Sequence, residues 1–177
     1  MSLNAFKTAH ALKKRFKNKA ITETWHLIKG YLVLMEKLGK LDKSEMSESF
    51  RLRKYLNIEE QQRNDEQKAN LLVLELLHLF VDKERKKYFE KQERVEGFLQ
   101  NRFRAHRFQR TRHFLRLLKS IVRGNYHPVG VQAHAERQIK NLSKSKIDIN
   151  VIDIEIMPYE TLWSLVFALL GRKGKAR

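Results

Sequence analysis

Cysteine is absent from this chain of 177 residues. Its absence removes disulfides, cysteine zinc sites, iron–sulfur clusters and thiol nucleophiles from the functions open to the protein. Prolines number two and glycines seven, too few turn formers for a many-stranded sandwich or barrel. No apolar run approaches the roughly 18 residues a membrane-spanning helix needs, so no membrane insertion is expected. The stretch Met1 to Lys7 lacks a continuous apolar segment and a small-residue cleavage site. A secretory leader is therefore not expected, and a cytoplasmic location is. P-loop, glycine-rich dinucleotide, G-x-S-x-G and metalloprotease motifs are also missing. What is present suffices for a folded core: 42% of residues are hydrophobic and 32% charged, a balance that argues against disorder.

The net charge of +17 is unevenly spread. Residues 1–22 hold six bases and no acid, residues 97–135 hold eight bases and no acid, and Arg172, Lys173, Lys175 and Arg177 end the chain. The remaining nineteen bases face all twenty acids, so the protein reads as near-neutral with three basic segments added. A segregated field of one sign favours an anionic partner. For the last six residues solubility is a sufficient reason.

Apolar periodicity is helical over most of the chain. Phe6, Ala9, Leu12 and Phe16 mark a short helix with lysines on its other face. Ile21, Trp25, Ile28, Leu32, Met35 and Leu38 mark a second, widened by Leu27, Tyr31 and Leu34 and ended by Gly39. Phe50, Leu52, Tyr55 and Leu56 suggest a third. Asn64 followed by Gln67 is a capping signature for a fourth. Between Leu71 and Val81 nine of eleven residues are apolar, which predicts the central helix of the core. A more polar helix over 84–100 carries Tyr88, Phe89, Val95, Phe98 and Leu99. Thr111 to Arg123 is next, with Gly124 as its stop. Pro128 opens a helix through Lys140, with Val131, Ala135, Ile139 and Leu142 inward. Residues 147–156 alternate apolar and acidic in the manner of a strand, and Pro158 opens a last helix through Leu170. The expectation is an all-α fold of seven to eight helices in antiparallel hairpins, a bundle or a short solenoid, with one extended segment near 147–156. A single helical domain over 1–171 and a basic tail over 172–177 are expected.

Three stretches carry a resemblance: Phe50 to Asn57, the apolar helix at 71–81, and Ile154 to Trp163. Over residues 20–170 the order of segments is similar to the C-terminal part of uncharacterised bacterial tetratricopeptide-like helical proteins. The signature of that repeat is out of register, since Trp25, Ile28, Gly30 and Tyr31 are present at shifted spacing and no 34-residue period is visible. The resemblance implies a helical scaffold and carries no activity or catalytic residues.

The candidate binding surface lies in the basic segment. At 100° per residue Arg112, Arg116, Lys119 and Arg123 share an arc of roughly 60°. Phe114, Leu115, Leu118, Ile121 and Val122 take the opposite side. Such a row can track phosphates, and Arg102, Arg104 and Arg107 precede it. Phe103 and Phe108 are placed to stack on bases if exposed. Lys13, Lys14 and Lys17 on the first helix extend the anionic-partner surface.

Arg107-x5-His113 resembles the spacing of HEPN-type ribonucleases, all-helical proteins whose Arg and His act together on an RNA phosphate. That likeness implies adjacency of Arg107 and His113 in a cleft. A polar residue usually follows the arginine there, and here it is Phe108. Glu23/His26 and Glu75/His78 are Glu-x-x-His pairs of the type that builds di-iron sites. Glu23 and His26 fall opposite the apolar face, and Glu75 and His78 are placed to pair with each other or with a neighbouring backbone. Neither pair is read as a metal site.

The function expected is a non-enzymatic helical-repeat interaction module with a basic face for an anionic or protein partner. RNA or DNA binding through 102–123 is the alternative, and a HEPN-like ribonuclease ranks behind it. No cofactor or metal is expected, and a second copy of the chain can meet the first through 149–156.

Overall fold

The computed structural model describes residues 19–42, 65–101, 108–145 and 155–172. All regular structure among these residues is helical: α1 (Lys19–Lys37), α2 (Asp65–Val81), α3 (Arg85–Asn101), α4 (Gln109–Arg123), α5 (Pro128–Lys144) and α6 (Tyr159–Arg172). The two further helices expected over 4–17 and near 50–56 lie outside the described residues. So do most of the extended segment at 147–156 and residues 173–177. Contacts group the chain into two compact units, Met1–Gln62 and Arg63–Arg177.

In the first unit, α1 buries Leu27, Tyr31, Val33, Leu34 and Met35. Trp25, Ile28 and Leu32 are half-buried, so the deepest line is the flank through Leu27, Tyr31 and Leu34. Gly39 ends the helix as expected. Its φ is +66°; its N–H donates to the Glu36 carbonyl and that of Lys40 to the Met35 carbonyl. This pair of bonds satisfies two orphan carbonyls, and its left-handed position suits glycine.

In the second unit, α2 and α3 form one antiparallel hairpin and α4 and α5 another. Glu75 pairs with Lys91 and the Phe80 ring lies tilted against Tyr88 across the first. The expected burial of 71–81 is observed, with Val73, Leu74 and Leu76 fully enclosed. The hub of the unit is nevertheless α4, which packs against α2, α3, α5 and α6. Its Phe114, Leu115, Leu117, Leu118 and Ile121 have no exposed surface. Uniform apolarity marks α2 as enclosed, but connectivity is set by an amphipathic helix that turns a broad apolar face inward.

The inward expectation for Ile139 changes, and Phe89 on α3 also faces outward. Phe89 is 49% exposed and Ile139 39% exposed. On α3 the inward line is Tyr88, Gln92, Val95 and Leu99, all buried, and Phe89 sits one position round from it. On α5 the inward line is Val131, Ala135, Gln138 and Leu142, and Ile139 is displaced from it in the same way.

Gly124 stops α4 for a reason other than conformation. Its φ is −81°, ordinary for any residue. The left-handed positions that follow it are Asn125 and Tyr126, with φ of 50° and 58°. Their N–H groups close the helix end onto the carbonyls of Val122 and Ile121. Tyr126 is held there by the Arg85 guanidinium, 4.7 Å from its ring centroid, and by the edge of Tyr88 at 6.2 Å. Gly124 itself is a point of close backbone approach to Gly130 and Val131 of α5.

Candidate functional site

Helix α4 is fixed in place by a charge it hides. Arg110 lies on the same line as Phe114, Leu117 and Ile121 and is 7% exposed. Its guanidinium donates through Nε to Glu155, through Nη1 to the carbonyls of Leu142 (3.1 Å) and Ser145 (2.8 Å), and through Nη2 to Glu160 at 2.9 and 3.0 Å. A cation thus sits at the C-terminal end of α5, where free carbonyls concentrate negative potential. Glu155 in turn accepts the N–H of Tyr159 at 3.2 Å, an anion at the N-terminal end of α6. Burial pulls the Arg110 guanidinium down, but hydrogen bonds and charge from Glu155 and Glu160 outweigh it and leave Arg110 more basic than usual. Beside this cluster the rings of Phe114 and Tyr159 stack at 4.4 Å and within 2° of parallel. The Tyr159 hydroxyl meets Thr111 Oγ1 at 3.0 Å. Arg110 is therefore one base of the acid-free segment that contributes nothing to the outer surface.

The opposite side of α4 carries the four expected cations. Arg116 and Arg123 are exposed, and Arg112 and Lys119 are half-buried. The row runs between α3 and α5. On the α3 side Lys119 Nζ donates to Glu96 at 2.6 Å. That hydrogen bond, with the charges of Lys119, Arg116 and Arg123, holds the Glu96 carboxyl below its ordinary range against the opposing effect of burial. On the α5 side His113 Nδ1 lies 3.0 Å from Gln138 Oε1. Burial, and then the like charge of Arg116, lowers the Arg112 guanidinium. The row is thus crowded with cations and carries a carboxylate from a neighbouring helix.

The structure separates the remaining candidates. Arg102, Arg104, Arg107, Lys13, Lys14 and Lys17 lie outside the described residues, as does Phe103. Phe108 is fully buried and offers no ring to a base, a correction that follows from its place at the start of α4 against the core. His113 is engaged with Gln138, on α5's inward line. Glu75 is engaged by Lys91, His78 is buried, and His26 is half-buried instead of facing solvent. Among the described residues no three His, Asp or Glu side chains gather as metal ligands. No described helix is long and apolar enough to cross a membrane. Of 149–156, Glu155 and Ile156 are described; both are non-helical and half-buried, and Glu155 is committed to Arg110.

Two residues that matter here escape a search for basic patches. Arg110 was visible as a charge on an apolar line, and a charge in that position requires a carboxylate partner. Glu96 has no distinguishing sequence signal, because its role depends on how α3 crosses α4. Comparison of the chain with protein-family models, with curated proteins and with solved structures finds no match.

Proposed function

We propose that this protein is a non-enzymatic helical interaction module that holds an anionic partner on the outer row of α4. One observation carries the reading. A single helix packs its apolar face against four neighbours while its other face presents Arg112, Arg116, Lys119 and Arg123 in line. The surface that binds is then rigidly backed by the core, a geometry suited to holding a partner. The paired helical hairpins also accord with the tetratricopeptide-like scaffold that the resemblance implies. A ribonuclease reading needs His113 beside Arg107 in a cleft, whereas His113 is engaged with Gln138 on α5.

The test is retention of the full chain on a sulfated-polysaccharide column, wild type against the variant with Arg112, Arg116, Lys119 and Arg123 all replaced by Gln. Glutamine keeps helix propensity, so the far-ultraviolet circular dichroism of the two should coincide. The variant should elute at clearly lower salt. Equal elution of the two folded proteins, or no retention of either at low salt, overturns the reading.

A further inference from the structure

The α4 row narrows the class of partner it can hold. Arg112, Arg116, Lys119 and Arg123 follow at steps of four, three and four residues, a span of about 16 Å at 1.5 Å per residue. One strand of a nucleic-acid duplex carries a negative charge on every residue of its backbone, so four aligned cations can face phosphates along their whole length. A peptide does so only by carrying an acid at every second residue, because successive side chains of an extended chain point to opposite faces. Three of the four cations are arginines, whose planar fork grips two phosphate oxygens together.

The flanks of the row favour a backbone over bases. On the α5 side stand His113 and Gln138, with His134 and Arg137 exposed on the adjoining part of that helix. The aromatic rings of α4 and its N-terminus, Phe108 and Phe114, are wholly enclosed. Among the described residues of α4 and its N-terminus the row therefore offers cations without a stacking ring, a combination that positions a backbone and reads no sequence. On the α3 side Glu96 holds Lys119 at 2.6 Å. A carboxylate 40% exposed in the middle of a cationic row takes the place that a phosphate oxygen would fill.

We infer that the α4 row is a site for the phosphodiester backbone of a nucleic acid, bound without sequence preference, and that Glu96 is an internal counter-ion which the phosphates displace from Lys119. This inference rests on the reading of α4 as an anion-binding face. Phosphate contact releases condensed counter-ions, so log affinity falls with log salt by about 0.9 per contact on duplex DNA. Removing the internal competitor removes the cost of displacing it without changing the number of contacts, and removing row cations subtracts contacts.

The experiment measures binding of the full-length protein to two short duplexes of unrelated sequence, as DNA and as RNA, and to polyglutamate of matched charge, at several salt concentrations. The proteins are wild type, Glu96→Gln and the double variant Arg116→Gln/Arg123→Gln. Duplexes of either sugar should bind alike whatever their sequence, and more tightly than polyglutamate. Glu96→Gln should bind about three- to ten-fold more tightly at an unchanged slope, and the double variant should lose about two contacts. Polyglutamate binding as tightly as the duplexes overturns the nucleic-acid assignment while leaving the anionic face intact. Strong preference for one sequence overturns backbone recognition. Unchanged affinity of Glu96→Gln overturns the counter-ion role. Absence of binding to every polyanion at low salt overturns the underlying reading as well.

Discussion

Gly124 approaches Val131 so closely that a β-carbon on Gly124 would lie 2.3 Å from the Val131 backbone nitrogen. Backbone cannot swing aside as a side-chain tip can, so the α4–α5 hairpin must open to admit it. Gly124→Ala should destabilise the fold by about 3 kcal/mol, the upper part of the overpacking range. Gly97 gives the contrast: it lies inside α3 with nothing within 4 Å of an added β-carbon. Gly97→Ala should stabilise by about 0.5–1 kcal/mol, because alanine loses less backbone freedom on entering a helix. Urea unfolding of both variants checks the pair, and an equal sign for the two would refute the assignment of Gly124 to the crossing.

Arg110 and Glu155 are a buried ion pair, with side chains 8% and 7% exposed. Removing one member strands the other in a medium that solvates charge poorly. Arg110→Met should cost about 3–5 kcal/mol. Glu160, 48% exposed, is still bathed by water, and Glu160→Gln should cost under about 1 kcal/mol. Combining Arg110→Met with Glu155→Gln should cost less than the sum of the single changes, since the orphaned carboxylate is then neutral. Strict additivity in that double-mutant cycle would show that the two side chains do not share one interaction.

The fold was largely readable because helical periodicity is local. The stop at Gly39, the helix opened by Pro128 and the enclosed run at 71–81 each depend on residues within a few positions of one another. The outward row of α4 was readable for the same reason. What lay beyond reach depended on distant segments. The partners of Arg110 come from two places, 32 to 50 residues further along the chain. Gly124 looked like a conformational stop, but its function is contact with α5. The exposure of Phe89 and Ile139 reflects which of two adjacent helix positions faces the neighbour, a choice made by helix crossing and invisible to a count of apolar positions.

Lys83 closes α2 with a φ of 61°, the position glycine usually fills. Its N–H donates to the Phe80 carbonyl and that of Glu84 to the Leu79 carbonyl, the same two-bond closure that Gly39 gives α1. A side chain in the left-handed region crowds its own carbonyl at a cost of about 1–2 kcal/mol, and glycine avoids it while losing more freedom on folding. The balance should leave Lys83→Gly more stable by about 0.5–1 kcal/mol, seen as a raised urea midpoint at unchanged slope. A lowered midpoint would mean that the exposed Lys83 side chain contributes more than its backbone strain costs.

Glu96 links the stability of the α3–α4 contact to pH. Its native pKa is lowered from the ordinary 4.5, first by the Lys119 hydrogen bond, against burial, and then by the charges of Lys119, Arg116 and Arg123. A group that binds protons less readily when folded favours the folded state wherever it is ionised. Its contribution is thus complete above pH 4.5 and fades as pH falls through the lowered native value. Water screens a carboxylate exposed to this degree, so the effect at neutral pH should be about 0.2–1 kcal/mol and should shrink further in high salt. Other carboxylates titrate over the same interval, which is why the informative quantity is the difference between wild type and Glu96→Gln. That difference should favour wild type near neutrality and disappear in acid, where both side chains are neutral. A difference that persists unchanged through acid would locate the effect of the substitution in packing and remove Glu96 from the electrostatics of the row.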